Sequence, residues 1–317
     1  MGFPQLEDIQ RAQERIRPHL PPTPMEEANM LPEGHWLKLE NMNRTHSFKV
    51  RGALNAMLAL DEDVRARGVI AASTGNHAQG MAYAAKLLGV KATIIMPETA
   101  ARRKVAGVKR LGAEAVLTGE TYDDAEAEAH RLEALHGLTY ISAYNNFNVI
   151  AGQGTVGLEI LHALPTVRRV LVPIGGGGLV SGVAIALKAH DPSIEVIGVN
   201  ALVSPEMYNI MYELDHVTGG ESLADALPGL IEHESMTIEI VSRTVDRIVL
   251  VSEDDIARAM RSMVVDQGWI AEGGGVVGLA ALQNGTIDAH EPADGPTVVV
   301  ISGGNVDADR LRRVLCG

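Results

Sequence analysis

The chain has 317 residues, a formal net charge of −13 and a single cysteine, Cys316. At about 150 residues per domain, the length predicts roughly two domains or one large α/β unit with an insertion. The acidic balance and the 3% aromatic content argue against a nucleic-acid partner, and one cysteine excludes a disulfide framework or a thiolate zinc cluster.

Short β-branched runs alternate with segments of helical length. The predicted strands are Gly68–Ala72, Ala92–Met96, Ala115–Leu117, Val170–Ile174, Val196–Val199, Ile248–Val251 and Thr297–Ile301. The predicted helices are Asn76–Leu88, Thr99–Leu111, Tyr122–Leu135, Val149–Ala163, Leu179–Ala189, Glu253–Asp266 and Glu272–Gln283. Because the strands are continuous apolar runs, the pattern predicts parallel strands covered on both faces, in an open, doubly wound α/β fold.

No targeting or membrane segment is visible in the sequence. Residues 1–17 are polar and charged, and the longest apolar runs have only the length of a strand. The sequence therefore predicts a cytoplasmic protein with no membrane partner.

Four consecutive glycines, Gly175–Gly178, follow a predicted strand and precede a predicted helix. Glycines let the chain turn tightly and expose successive N–H groups, and a helix N-terminus adds a positive dipole end. This pattern predicts a phosphate site. The G-x-G-x-x-G and G-x-x-x-x-G-K-[ST] fingerprints are both absent, so a mononucleotide-sized phosphate fits better than a dinucleotide.

Lys49 stands in the first turn of a predicted helix, after hydroxyl residues. A cation is disfavoured there, and a positive field with burial would lower its pKa, as suits an amine that forms a Schiff base. The plainer interpretation is a solvated surface lysine.

Two further strand ends carry polar groups. Ser73–Gly80 follows the first predicted strand and reads either as a helix cap or as a site for a carboxylate or a ring hydroxyl. Ser302 follows the last predicted strand and is able to hydrogen-bond a neutral ring nitrogen. We expect no metal site at His77, because no second ligand lies at the required spacing.

Taken in order, these segments resemble the fold type II pyridoxal-phosphate enzymes, and most closely the serine/threonine dehydratase and serine racemase family. The resemblance covers roughly residues 20–305 and rests on Ser47–Ala53, Ser73–Gly80, Ala151–Thr155, Gly175–Gly178 and Ser302–Asn305. It implies a tryptophan synthase beta-like fold with two open parallel-sheet α/β domains and the cofactor between them. The implied large domain comprises residues 1–50 and 140–317, the small domain comprises residues 51–139, and the assembly is a homodimer.

The resemblance also implies residue roles. For pyridoxal phosphate these are Phe48 beside the ring, Lys49 in the Schiff base, Asn76 at the ring hydroxyl, Gly175, Gly176, Gly177 and Gly178 at the phosphate, Glu272 near the ring and Ser302 at the pyridine nitrogen. The substrate carboxylate is assigned to Ser73, Thr74, Gly75, Asn76 and His77. Lys49 also serves as the base at Cα, and Thr74 stands where serine racemases carry a second acid/base.

Several positions depart from the family pattern. Ala226 stands where the family has glycine, and Tyr144–Phe147 replaces a Phe-Asp-Asp-Pro loop. Asn200 stands where relatives place an acid for a divalent cation, with Glu206 at the second position, so we expect no strong metal site. The changes at Ala226 and Tyr144–Phe147 bear on the substrate and leave the cofactor assignment intact.

The resulting hypothesis is a pyridoxal-phosphate-dependent ammonia-lyase. Its substrate would be a β-hydroxy amino acid such as threonine, serine or 3-hydroxyaspartate, converted to a 2-oxo acid and ammonia. An amino-acid racemase and a β-replacement enzyme on the same scaffold are alternatives. A mononucleotide-binding regulatory module is the non-enzyme alternative.

Overall fold

The computed structural model describes residues 2–100, 102–216, 219–289 and 295–316. The strands are β1 (Met25–Glu27), β2 (His35–Leu39), β3 (Val69–Ala72), β4 (Ala92–Met96), β5 (Glu114–Leu117), β6 (Thr139–Tyr140), β7 (Arg169–Pro173), β8 (Glu195–Ala201), β9 (Arg247–Val251) and β10 (Thr297–Ile301). The helices are α1 (Leu6–Ile16), α2 (Lys49–Leu58), α3 (Glu62–Arg67), α4 (Asn76–Leu88), α5 (Arg102–Arg110), α6 (Tyr122–His136), α7 (Phe147–Ala163), α8 (Gly178–His190), α9 (Glu206–Tyr212), α10 (Met236–Thr244), α11 (Glu253–Val265), α12 (Val277–Gln283) and α13 (Ala308–Cys316). Within these ranges, no helix combines the length and apolar character needed to cross a membrane.

The strands form two sheets. One sheet has six strands in the order β1-β2-β10-β7-β8-β9, and the other has four in the order β5-β4-β3-β6. All neighbouring strands are parallel except β1 and β2. The predicted α/β fold with two open parallel sheets is therefore confirmed. The assignment of residues 51–139 to a small domain and the rest to a large one stays a prediction.

Both faces of the six-stranded sheet are covered, as the continuous apolar runs predicted. In β7, Val170 and Val172 point into a cluster that includes Val183 of α8. The intervening Leu171 points to the opposite face, where Leu279 of α12 packs. Alternate side chains of β7 thus pack in two different hydrophobic clusters, one on each face of the sheet. A polar side chain on either face of this strand would therefore be buried.

The topology of this sheet creates a crevice between β7 and β10. After β7 the chain passes through α8 to β8 on one side, whereas β10 pairs with β7 on the other side. In open α/β sheets, ligands bind at the carboxyl ends of the strands, where the strand order reverses. Here the residues at that point are the glycine run after β7 and Ser302 after β10.

Close contacts between glycines position α2, which begins at Lys49. A Cβ atom on Gly152 of α7 would lie 2.7 Å from the Cα atom of Gly52 in α2. A Cβ atom on Gly80 of α4 would lie 3.1 Å from the main-chain carbon of Lys49. The segment Ala151–Thr155 therefore lies inside α7 and packs against α2, which holds the lysine from behind.

A buried ion network ties the same helix to its surroundings. Arg51, in the first turn of α2, donates to the carboxylates of Glu40 and Glu159 at 2.6–2.9 Å. Lys38 of β2 donates to Glu159 at 2.6 Å and to the carbonyl of Thr23 at 2.7 Å. The side chains of Arg51 and Lys38 are each 1% exposed. The sequence analysis did not single out Lys38, because its buried partner Glu159 lies 121 positions away.

One predicted helix begins later than expected. Glu272 is extended, Gly273–Gly275 forms a short 3₁₀ turn, and α12 starts only at Val277. Three successive glycines disfavour helix because they lose the most backbone entropy. Their packing is also tight, since a Cβ atom on Gly273 would lie 2.2 Å from the carbonyl oxygen of Leu223.

Candidate active site

The predicted site residues line one cleft of about 840 Å³. Its walls come from both sheets: the loop after β3 and the helices α5 and α6 on one side, and the loops after β7 and β10 on the other. The cleft residues include all the predicted ones, namely Phe48, Lys49, Ser73, Thr74, Gly75, Asn76, His77, Gly175, Gly176, Gly177, Gly178, Glu272 and Ser302. Segments spread over more than 250 positions of the chain therefore meet in one place.

Lys49 is the first residue of α2, as the sequence predicted. Its Nζ donates to the carbonyl oxygen of Ala143 at 2.8 Å and lies 5.1 Å from the centroid of the Phe48 ring. The surrounding protein lowers the pKa of Lys49 to about 8, because burial disfavours the ammonium form. The negative charge of Glu272 opposes this shift. A sizeable fraction of the amine is therefore neutral near physiological pH.

The glycine run forms a bare backbone loop at the start of α8. Gly177 has φ +89°, a conformation that side chains rarely adopt. A Cβ atom on Gly176 would lie 2.5 Å from the ring of Tyr144, and Thr237 Oγ1 donates to the Gly176 carbonyl at 2.8 Å. The first N–H groups of a helix have no partner within it, so this loop is suited to an anion.

A chain of polar side chains crosses the floor of the cleft. Asn76 Nδ2 donates to Glu272 Oε1 at 2.6 Å, and Asn305 Nδ2 donates to Asn76 Oδ1 at 2.8 Å. Burial raises the pKa of Glu272 to about 7, although the hydrogen bond from Asn76 opposes the shift. Glu272 therefore gains or loses a proton near neutral pH. The sequence pattern did not assign a role to Asn305.

Ser302 is 3% exposed and lies directly after β10. Its hydroxyl makes a long contact, 3.5 Å, with the carbonyl oxygen of Gly274. Its main-chain carbonyl accepts from the N–H of Phe48 at 3.1 Å, which ties this strand end to the segment that carries Lys49. The hydroxyl is thus held in the cleft and retains capacity for a further partner.

In the loop after β3, the Ser73 side chain caps the start of α4. Ser73 Oγ accepts from the N–H groups of Gly75 and Ala78, at 3.2 Å each. His77 Nε2 donates to the carbonyl oxygen of Ile141 at 2.9 Å, and burial together with the charge of Lys49 lowers the pKa of His77 to about 3. His77 is therefore neutral. Thr74 is half-buried and lines the cleft, while the predicted substrate role of these residues stays a prediction.

The structure also shows contacts between distant loops that the sequence pattern did not predict. Tyr144 accepts a hydrogen bond from the main-chain N–H of Glu232 at 3.2 Å, and Asn145 Nδ2 donates to the Glu232 carboxylate at 2.5 Å. Asp225 pairs with Arg310 at 3.0 Å and with Lys104 at 3.8 Å across the mouth of the cleft. These contacts join loops that lie far apart in the sequence, so no local sequence pattern predicts them.

The positions expected for a weak cation site are engaged with protein groups. Asn200 Nδ2 donates to the carbonyl oxygen of Ile174 at 2.7 Å, and the Glu206 carboxylate accepts from Ser204 Oγ at 2.7 Å. Within the described ranges, no group of three or more His, Cys, Asp or Glu side chains is arranged to hold a metal ion. Whether a cation binds stays a prediction.

The chemistry of the cleft fits pyridoxal phosphate. A buried amine, a bare glycine loop at a helix start and a strand-end hydroxyl with spare hydrogen-bonding capacity match an aldehyde, a phosphate and a ring nitrogen. A side chain at Gly175 would fill this space, since its Cβ atom would lie 2.7 Å from the carbonyl oxygen of Leu227. The residues present therefore suit the group that the sequence resemblance implies.

Comparison with known proteins agrees with this site. A family model described as pyridoxal-phosphate dependent enzyme matches residues 16–303, so the chain belongs to this family. The L-threonine ammonia-lyase of Thermotoga maritima is 40% identical over 316 residues, which cover 98% of this chain and 78% of that protein. The predicted family, fold and cofactor are confirmed, and a non-enzymatic mononucleotide-binding module is not supported.

Solved structures give the same result. Maize serine racemase has a TM-score of 0.90 at 31% identity, covering 98% of this chain and 96% of its own. The processed form of threonine deaminase isoform 2 from Solanum lycopersicum has a TM-score of 0.88 at 32% identity, covering 99% and 89%. Lyases and racemases thus share this backbone, and the fold alone does not separate the two activities.

Proposed function

We propose that the protein is a pyridoxal-phosphate-dependent ammonia-lyase that converts a β-hydroxy amino acid, with threonine as the first candidate, to a 2-oxo acid and ammonia. The observation that carries the proposal is the meeting of Lys49, the glycine loop and Ser302 in one cleft. The 40% identity to an L-threonine ammonia-lyase over nearly the whole chain supports the reaction class.

Each residue has a definite task in this proposal. Lys49 Nζ would hold the cofactor aldehyde and would take the proton from the substrate Cα. The main-chain N–H groups of Gly175–Gly178 would hold the phosphate, and Phe48 would pack beside the ring. Asn76 would bind the ring hydroxyl, with Glu272 beside it. Ser73–His77 hold the substrate carboxylate.

When bound, pyridoxal phosphate supplies an aldehyde that captures the substrate amine and a ring that withdraws electron density from Cα. Ser302 would offer the ring nitrogen a neutral hydroxyl, which would keep this withdrawal moderate. A moderate withdrawal would favour early loss of the β-hydroxyl. Water leaves across Cα–Cβ, and hydrolysis of the resulting enamine returns that water and releases ammonia.

The proposal includes the wider organisation of the protein. The cofactor lies between a large domain of residues 1–50 and 140–317 and a small domain of residues 51–139. The protein is a cytoplasmic homodimer. Size measurement in solution, with and without cofactor, tests the assembly.

Racemisation is the second candidate, because the hydroxyl of Thr74 lines the same cleft. Inverting Cα needs a proton donor on the ring face opposite Lys49, and Thr74 is stiff at χ1 with a methyl group that must also be packed. Its hydroxyl serves equally well to bind the substrate carboxylate. We therefore expect elimination to dominate.

The test is incubation of L-threonine, L-serine and 3-hydroxyaspartate with the holoenzyme in deuterated water. The 2-oxo acid and ammonia should form faster than the D-enantiomer, and Thr74→Ala should leave elimination largely intact. The proposal fails in favour of a racemase if the D-enantiomer forms faster and its formation disappears in Thr74→Ala. Exchange of the β-hydroxyl for an added thiol would instead indicate β-replacement.

The pH dependence of cofactor uptake follows from the pKa of Lys49. The neutral amine attacks the aldehyde, so the rate of visible-band formation by apoprotein and pyridoxal phosphate should rise through a midpoint near pH 8. Glu272 raises the pKa of Lys49, so Glu272→Gln should move that midpoint to lower pH. Stopped-flow absorbance measures both, and a midpoint near 10.5 in the wild type would contradict the assignment.

A further inference from the structure

A chain of amides connects the backbone of Thr45 to the carboxylate of Glu272. Asn305 Nδ2 donates to the carbonyl oxygen of Thr45 and to Asn76 Oδ1, at 2.8 Å each. Asn76 Nδ2 then donates to Glu272 Oε1 at 2.6 Å. The sequence separation is large, since Asn305 and Asn76 are 229 positions apart.

The direction of this chain is set at its Thr45 end, because Glu272 has a pKa of about 7 and its protonated form donates as well as accepts. A main-chain carbonyl only accepts, so the NH₂ group of Asn305, and not its oxygen, must face Thr45. The same NH₂ group also reaches Asn76 and can donate only to an oxygen. Asn76 is thereby oriented with its oxygen towards Asn305 and its NH₂ group towards Glu272. The two ends of an amide have nearly the same shape, so packing alone would not choose between them.

Asn305 acts on both partners. Besides its side-chain contacts, the main chain of Asn305 opposes the rise in the pKa of the Glu272 carboxyl. Asn76 is 7% and Glu272 4% exposed, so a reversed amide would bury two oxygens against each other. Asn305 itself is half-buried on the loop after β10, three residues beyond Ser302.

We propose that Asn305 is a positioning residue: it holds the amide of Asn76 so that the NH₂ group, and not the oxygen, serves the ring hydroxyl of pyridoxal phosphate. This inference rests on the proposed function, because Asn76 has that task only towards the bound cofactor. Asn305 itself is not a catalytic residue in this scheme and acts through Asn76.

The main test is Asn305→Asp, which has nearly the same shape but replaces the NH₂ group with oxygen. The Asn76 amide should then turn its NH₂ group towards residue 305 and present oxygen to the cofactor. Towards the ionised form of the ring hydroxyl, which only accepts, the reversed amide loses its hydrogen bond, and this loss should raise the dissociation constant for pyridoxal phosphate about 10- to 100-fold. Fluorescence titration of apoprotein measures this constant, and the visible band of the holoenzyme should move in position.

A double-mutant cycle separates orientation of Asn76 from a general structural effect. In an Asn76→Ala background, Asn305→Asp should add no further loss of affinity. Asn305→Ala removes the constraint without adding charge and should give a loss smaller than that of Asn305→Asp. The matched control is Asn209→Asp, because Asn209 Nδ2 also donates to a main-chain carbonyl, that of His216, outside the cleft.

The possible results differ clearly. The inference is overturned if Asn305→Asp and Asn305→Ala bind pyridoxal phosphate as the wild type does, or if Asn305→Asp costs as much affinity in the Asn76→Ala background. The Asn209→Asp control should bind pyridoxal phosphate with the dissociation constant of the wild type. This result would show that an added aspartate outside the cleft does not affect cofactor binding. If the wild type forms no visible band that borohydride removes, the proposed function fails first and this inference falls with it.

Discussion

Replacing Lys49 with alanine is expected to abolish the visible band of the holoenzyme and to lower ammonia production by at least about a hundredfold, the lower end of what a positioned base contributes. Both tasks proposed for Lys49 depend on the one Nζ atom, which lies 2.8 Å from the Ala143 carbonyl. Since burial penalises the charged form of this lysine, its removal should leave the fold intact. Absorbance, an ammonia assay and thermal unfolding measure the three effects.

The matched control is Lys104→Ala, because Lys104 lines the same cleft. Its ammonium lies 3.8 Å from the Asp225 carboxylate and its side chain is 32% exposed, so it is ion-paired and accessible to water. This variant should keep the band, and borohydride should fix the cofactor to a peptide containing Lys49. Attachment to Lys104, or full activity in Lys49→Ala, would show the site assignment to be wrong.

The regular part of the fold was readable from the sequence. Strands such as β7 and β10 bury every residue, so their apolar runs stand out against the polar helices around them. The strands β1, β2 and β6 were not predicted. Met25–Glu27 and Thr139–Tyr140 are short and expose part of each residue, so no continuous apolar run marks them. The strand β2 has five residues, but His35 and Lys38 interrupt its apolar run.

The cleft was predictable where its chemistry is local. The phosphate site at the glycine run and the role of Lys49 were each predicted from a few consecutive residues. The amide chain through Asn305 and the clamp of Asn145 on Glu232 depend on partners 229 and 87 positions away. Their pairing follows from how the sheets bring strand ends together, which no spacing along the chain encodes.

The buried ion network was also not predicted from the sequence, and because its charges are buried, Arg51→Met should have a large effect on stability. Arg51 pairs with Glu40 and Glu159, which lie 11 and 108 positions away, and Lys38 supplies the second positive charge. Removing one partner of a buried ion pair costs about 3–5 kcal/mol, because the other charge stays buried. Urea unfolding should show a loss of that order in the free energy of unfolding at neutral pH.

The loss should also depend on pH. In the wild type, burial would raise the pKa of Glu40, but the charge and hydrogen bonds of Arg51 lower it to about 2. That stabilisation is complete above the ordinary value of 4.5 and is lost as the pH falls towards 2. Without Arg51, burial raises the pKa, so the variant should be relatively most stable in acid and should lose stability as the pH rises. The difference between wild type and variant should therefore widen from about pH 4 to pH 7.

The control for this experiment is Arg131→Met, which removes an arginine from an exposed pair with Glu128 on α6. Solvent screens that pair, so its loss should change stability little at any pH. If Arg51→Met changed the free energy of unfolding as little as this control does, the network would be dispensable. A loss that is large but independent of pH would mean that Arg51 stabilises the protein by packing between α2 and α7, and that the two carboxylates do not depend on its charge.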